Sequence, residues 1–158
     1  NISLAFIIFH NNPRSDTHKI LSGIAIIMAC WTVANYLALT TVLESSRLFW
    51  VRLVMLITAP FGPSIYLLAK VFPEKKLDLS FAKASFISLL TILSGGLGLT
   101  NYVFSDLRNL ENGAFSLDTN FGIFIYGFNL IFFMLWGFKI LFFKYRSSTG
   151  QIKKQQQK

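Results

Sequence analysis

The chain has 158 residues, of which 53% are hydrophobic, 16% aromatic and only 14% charged, with 17 phenylalanines. A soluble domain carries roughly 25% charged residues, and a core of this size cannot hide so much apolar surface from water, so the composition argues against a soluble enzyme and excludes a disordered chain or a disulfide scaffold. The net charge of +8 would suggest nucleic acid in a soluble protein, but here the cations sit in short segments between apolar runs, so an integral membrane protein with no nucleic-acid partner is expected.

In chain order, the run 1–9 is apolar but too short to span a bilayer, which takes about 20 residues. No basic segment precedes it, so it reads as part of a spanning helix rather than a signal peptide. Asn11, Asn12 and Pro13 end it. The stretches 20–43, 48–70, 84–104 and 121–143 are each long and apolar enough to cross, with Arg52, Lys70 and Lys139 the cations inside them. The expected fold class is therefore all-α: an integral membrane helical bundle of four full transmembrane helices plus a truncated first one. Residues 1–146 form the bundle, and 147–158 form a cytoplasmic basic and polar tail leading to further spans.

The connections carry their own signals. Glu44, Ser45 and Ser46 suggest a short turn with Ser46 as N-cap, and Asp78 or Ser80 suits the cap of the next helix. Asn112-Gly113, with flanks Leu107 to Leu110 and Ala114 to Leu117, predicts a small hairpin or turn at the membrane surface, supported by helix ends because two strands alone are marginal.

The distribution of cations sets the orientation. Of fifteen Lys and Arg, only Arg47, Arg52 and Arg108 fall on one side of the alternating spans, and the other twelve fall on the opposite side. Cations resist translocation, so the twelve-cation side is expected in the cytoplasm of a bacterial inner membrane. The chain start is then outside and the tail inside after five passages.

No catalytic constellation stands out. His10 and His18 lack zinc spacing and read as loop residues, so no metal or cofactor is expected. Cys30 reads as a small buried apolar side chain. Gly95-Gly96-x-Gly98 lies inside an apolar span, where close helix packing or local flexibility explains it better than a phosphate cradle.

Pro60, Gly62 and Pro63 interrupt a spanning helix, as a static kink or as a hinge that moves on signalling. Arg52 lies inside that helix and must snorkel beside Trp50, pair with Glu44 or face a ligand cavity. Asn35, Tyr36, Tyr66, Asn101, Tyr126 and Asn129 are polar side chains in or at the ends of spans. Asn35, Tyr36, Arg52, Tyr66, Asn101 and Tyr126 are the candidate ligand-binding residues, with interhelical hydrogen bonding the alternative account.

Several landmarks fall in one order: Trp31 and Tyr36, Leu43-Glu44, Trp50-Val51-Arg52-Leu53, Pro60 and Pro63, Phe72-Pro73-Glu74, Asn101, Asn112-Gly113, Gly122 and Tyr126, then Tyr145-Arg146-Ser147-Ser148-Thr149-Gly150 and Gln155. In this order the chain resembles the multi-span, seven-transmembrane-type N-terminal sensor region of bacterial histidine kinases. The resemblance implies signal input. A small-molecule ligand from the outer side, or a change in the surrounding lipid bilayer, would favour one helix arrangement and act on a cytoplasmic output domain of a two-component kinase or similar receptor, a homodimer at full length. No chemistry is expected of this region itself. The alternative is a fragment of a membrane transporter or permease, which inverted repeats would favour and which this sequence does not display.

Overall fold

A computed structural model describes residues 2–72, 76–109 and 115–156, with side chains for all of these but Glu44, Asn109 and 147–156. Its elements in chain order are α1 (Ile2–Asn11), α2 (Asp16–Thr40), α3 (Glu44–Thr58), α4 (Phe61–Val71), α5 (Phe81–Gly98), β1 (Phe104–Asn109), β2 (Phe115–Thr119) and α6 (Gly122–Gln156). Four stretches are long and apolar enough to cross a membrane: Asp16–Thr40, Ser45–Val71, Phe81–Gly98 and Gly122–Arg146. The short apolar α1 precedes them, so the expected helical bundle is present.

What is buried identifies the solvent for which the fold is built. The buried positions of the spans are mostly small: Ala29, Ala34, Ala38, Ala59, Ala69 and Ser94 among them. The large apolar side chains, such as Phe86, Ile92, Phe124, Phe128 and Leu135, point outward. Lipid tails give no hydrophobic reward for burying a phenylalanine, so close backbone approach between small residues holds such helices together. Cys30 belongs to the outward set and is exposed, which corrects the expectation of a buried side chain.

The α2 helix starts after Ser15, and its first residue, Asp16, accepts from Lys19 at 3.1 Å and from the Leu77 backbone N–H at 3.0 Å. A carboxylate suits the positive N-terminal end of a helix. The second of these bonds also draws the 76–80 connection onto the start of α2. The turn after α2 occupies Thr41–Leu43, and Leu43 rather than Ser46 is the N-cap of α3. Ser80 takes the N-cap position of α5 without a side-chain cap bond.

The α5 helix stops at Gly98, short of the expected span end at 104, because Phe104 already begins β1. Strands β1 and β2 pair antiparallel, with Leu107 opposite Leu117 and Arg108 opposite Ser116. This hairpin lies where Asn112-Gly113 predicts one, although that dipeptide is outside the described residues. The period-2 alternation of a strand puts Leu107 inward and Asp106 and Arg108 outward. Val103, Phe104 and Leu107 join Ala38 and Val51 in one buried cluster, so the helix ends supply the third layer that a lone hairpin lacks. The last helix runs unbroken from Gly122 to Gln156, carrying the polar end of the chain as a helical extension.

Candidate functional site

The end of the bundle that carries the hairpin concentrates the polar groups expected to matter. Arg52 lies on α3, about two turns from its start. Its guanidinium donates to Asn101 Oδ1 and, at 2.7 Å, to the Phe104 carbonyl. The half-buried side chain therefore finds two acceptors at the base of the hairpin, which offsets the cost of placing a cation in a spanning segment. Its Nε is buried and has no partner among the described residues. The alternative partner expected from the sequence, the Glu44 side chain, lies outside the described residues.

The base of the hairpin is itself closed. Asn120 Nδ2 donates to the Asn101 carbonyl at 2.8 Å, and the Gly122 N–H donates to the Tyr102 carbonyl at 2.8 Å. A Cβ on Gly122 would collide with that same carbonyl. Glycine is therefore what allows α6 to start directly under the hairpin.

A second arginine does related work that the sequence reading missed. Arg47 is buried, donates from Nε to the Thr41 carbonyl at 2.8 Å, and lies over the Phe115 ring at 5.2 Å. It ties the end of α2 to β2, as Arg52 ties α3 to β1. The available signal was its rarity: Arg47, Arg52 and Arg108 are the only cations of the cation-poor end. Arg108 spends its charge on Asp118, 3.3 Å away and exposed, where Asp106 and Asp118 would otherwise face each other unopposed.

One turn along α3 from Arg52, Tyr126 of α6 docks onto the helix. Its hydroxyl donates to the Met55 carbonyl at 3.0 Å and is 2.6 Å from Thr58 Oγ1. The proline break follows directly. Pro60 is the N-cap of α4, and Pro63 sits within the first turn, where helical N–H groups have no partner in any case. The prolines thus divide one apolar run into two helices at low cost. The α4 side of the break is fastened to α6. A Cβ on Gly62 would be 2.7 Å from the Leu130 carbonyl oxygen, and one on Gly137 would be 3.2 Å from the Tyr66 Cα. At the far end, Lys144 Nζ donates to the Lys70 and Phe72 carbonyls at 2.8 and 2.7 Å, capping the C-terminus of α4.

The six candidate ligand residues are therefore spread out. Arg52 and Asn101 meet, and Tyr126 is adjacent. Asn35 instead donates to the Trp31 carbonyl of its own helix at 2.9 Å, and Tyr36 is 64% exposed on the outer face of α2. Tyr66 lies beyond the break, edge-on to Phe133 and Trp136. Asn129 is buried on α6, with its Nδ2 unpartnered among the described residues. No group of three His, Cys, Asp or Glu able to hold a metal occurs among the described residues.

A family model described as the N-terminal 7TM region of histidine kinase matches residues 1–157. The chain belongs to this family. No curated protein and no solved structure matches it. As a 7TM region of a histidine kinase, the chain is a membrane sensor input region. Its helices are the apolar spans of that region, and the Arg47–Arg52–hairpin assembly is a polar cluster at one end of the 7TM bundle.

Proposed function

We propose that this 7TM region receives its signal at the hairpin end, outside the bacterial inner membrane, and passes it through α4 and α6 to a cytoplasmic output domain beyond this chain. The orientation is supported by the charge count, which leaves only three arginines at the hairpin end. The observation that carries the reading is Arg52. This single side chain joins the hairpin base to α3, two turns before the Pro60 break, and keeps one buried N–H unspent.

A small molecule that competed for the guanidinium, or that pressed on the hairpin, would change how α3 meets α5 and the hairpin. The α4 helix, fastened to α6 from Gly62 to Lys144, would carry that change to the opposite end. The effector needs different affinities for the two arrangements, and the Arg52 contacts are where that difference would arise. The region acts by shifting this equilibrium and performs no chemistry of its own.

The test is the dose–response of the intact receptor with Arg52→Ala. The expected result is normal membrane insertion with a response weakened about tenfold or more, the scale of one lost charge-assisted hydrogen bond. An unchanged dose–response would remove Arg52 from the signal path.

A further inference from the structure

Two grooves run side by side along α6 and share a wall. The first, about 350 Å³, lies between α4, α5 and α6 and is walled by Tyr66, Phe86, Ile87 and Phe133. The second, about 400 Å³, follows α6 itself past Phe128, Ile131 and Leu135. Phe132 and Trp136 line both and form the ridge between them. That ridge is braced: the two rings meet edge-on at 5.2 Å, and Tyr66 abuts Trp136 from the first groove at 6.2 Å.

Each groove also carries one cation, Lys83 in the first and Lys139 in the second, and no acidic residue lines either. Both lysines are exposed, and neither has a hydrogen-bond or ion-pair partner among the described residues. Both lie toward the end opposite the hairpin: Lys83 is in the first turn of α5, and Lys139 is far along α6 from its start at Gly122.

In a bilayer an apolar groove fills with hydrocarbon without preference, because bulk tails are as apolar as the walls. Selectivity must come from the charges at its mouth, and basic pockets between spanning helices select anionic headgroups. The arrangement here is two open apolar grooves, a dividing ridge and two unpaired ammonium groups at the same end. A phospholipid has two chains and one phosphate. We propose that this surface binds an anionic diacyl phospholipid, with one chain in each groove astride the Phe132–Trp136 ridge and the phosphate between Lys83 and Lys139. The proposal needs the membrane but not the signalling route described above.

The probe is phosphatidylglycerol brominated on its acyl chains, mixed into phosphatidylcholine bilayers holding the full chain with Trp31 and Trp50 replaced by Phe. Bromine quenches indole on contact, so Trp136 reports occupancy of the grooves. Brominated phosphatidylglycerol should quench with about fivefold preference over brominated phosphatidylcholine, the scale of one lysine–phosphate attraction near a membrane surface. The preference should vanish in K83Q/K139Q. Equal quenching by the two lipids, or a preference that survives in K83Q/K139Q, would overturn the proposal. Relief of quenching by soluble glycerol phosphate would also overturn it, since the headgroup would then bind without the grooves. Native mass spectrometry of the unsubstituted chain provides a second measurement, independent of any variant's folding. Retention of phosphatidylglycerol over phosphatidylcholine is expected, and equal retention would refute the site.

Discussion

Gly62 brings α4 so close to Leu130 that a Cβ at position 62 would stand 2.7 Å from the Leu130 carbonyl oxygen. The neighbour is backbone and cannot turn aside, so the two helices would have to separate. Gly62→Ala gains about 1 kcal/mol of helix propensity but loses about 1–3 kcal/mol to overpacking. The net expectation is destabilisation, read as a lower midpoint in thermal unfolding of the chain in detergent. Gly96→Ala is the matched comparison, because no atom lies within 4 Å of a Cβ there; it should leave the midpoint unchanged or raise it.

The Tyr126 hydroxyl bonds α6 to α3, and Tyr126→Phe keeps the buried ring while removing the bonds to Met55 and Thr58. Interhelical hydrogen bonds of this kind contribute about 0.6 kcal/mol in membrane proteins, and a loss on that scale is expected. Steric trapping or detergent unfolding would measure it. A loss several times larger would mean that the hydroxyl supports more than these two contacts.

Cys30 is exposed within the α2 span, in an apolar groove that Ile2 of α1 and Trp50 and Leu53 of α3 also line. In intact membranes it should react with a membrane-soluble maleimide and resist a charged thiol reagent. After detergent extraction, labelling by the charged reagent should rise. Rapid labelling by the charged reagent in sealed membranes would place α2 against water instead.

How much of this could be read from residue order alone depends on the range of the interaction. The spans are local facts of hydropathy, and the hairpin is announced by Asn112-Gly113 and confirmed by the pairing of Leu107 with Leu117. The early stop of α5 at Gly98 is not legible from hydropathy, because Leu99, Tyr102, Val103 and Phe104 are as apolar as a helix interior. Val103 and Phe104 leave the helix pattern to pack with Val51 and Ala38. Arg52 drew attention because it is a cation in an apolar run, whereas its acceptors lie 49 and 52 residues away and no spacing rule reaches them. Arg47 reads in the sequence only as one of three cations on its side of the spans, although it is 8% exposed and sits over an aromatic ring. The scatter of Asn35, Tyr36 and Tyr66 away from Arg52 has the same origin. Polarity within a span can be read in sequence, but the helix face that carries it depends on packing between small residues far apart in the chain.

The break at Pro60 leaves α4 as a stub of 11 residues, about 16 Å long at 1.5 Å per residue. Pivoting it by roughly ten degrees would sweep its far tip sideways through about 3 Å. Lys144 grips that tip. A tilt that leaves side-chain packing near the proline almost unchanged would therefore push the base of the longest described helix sideways.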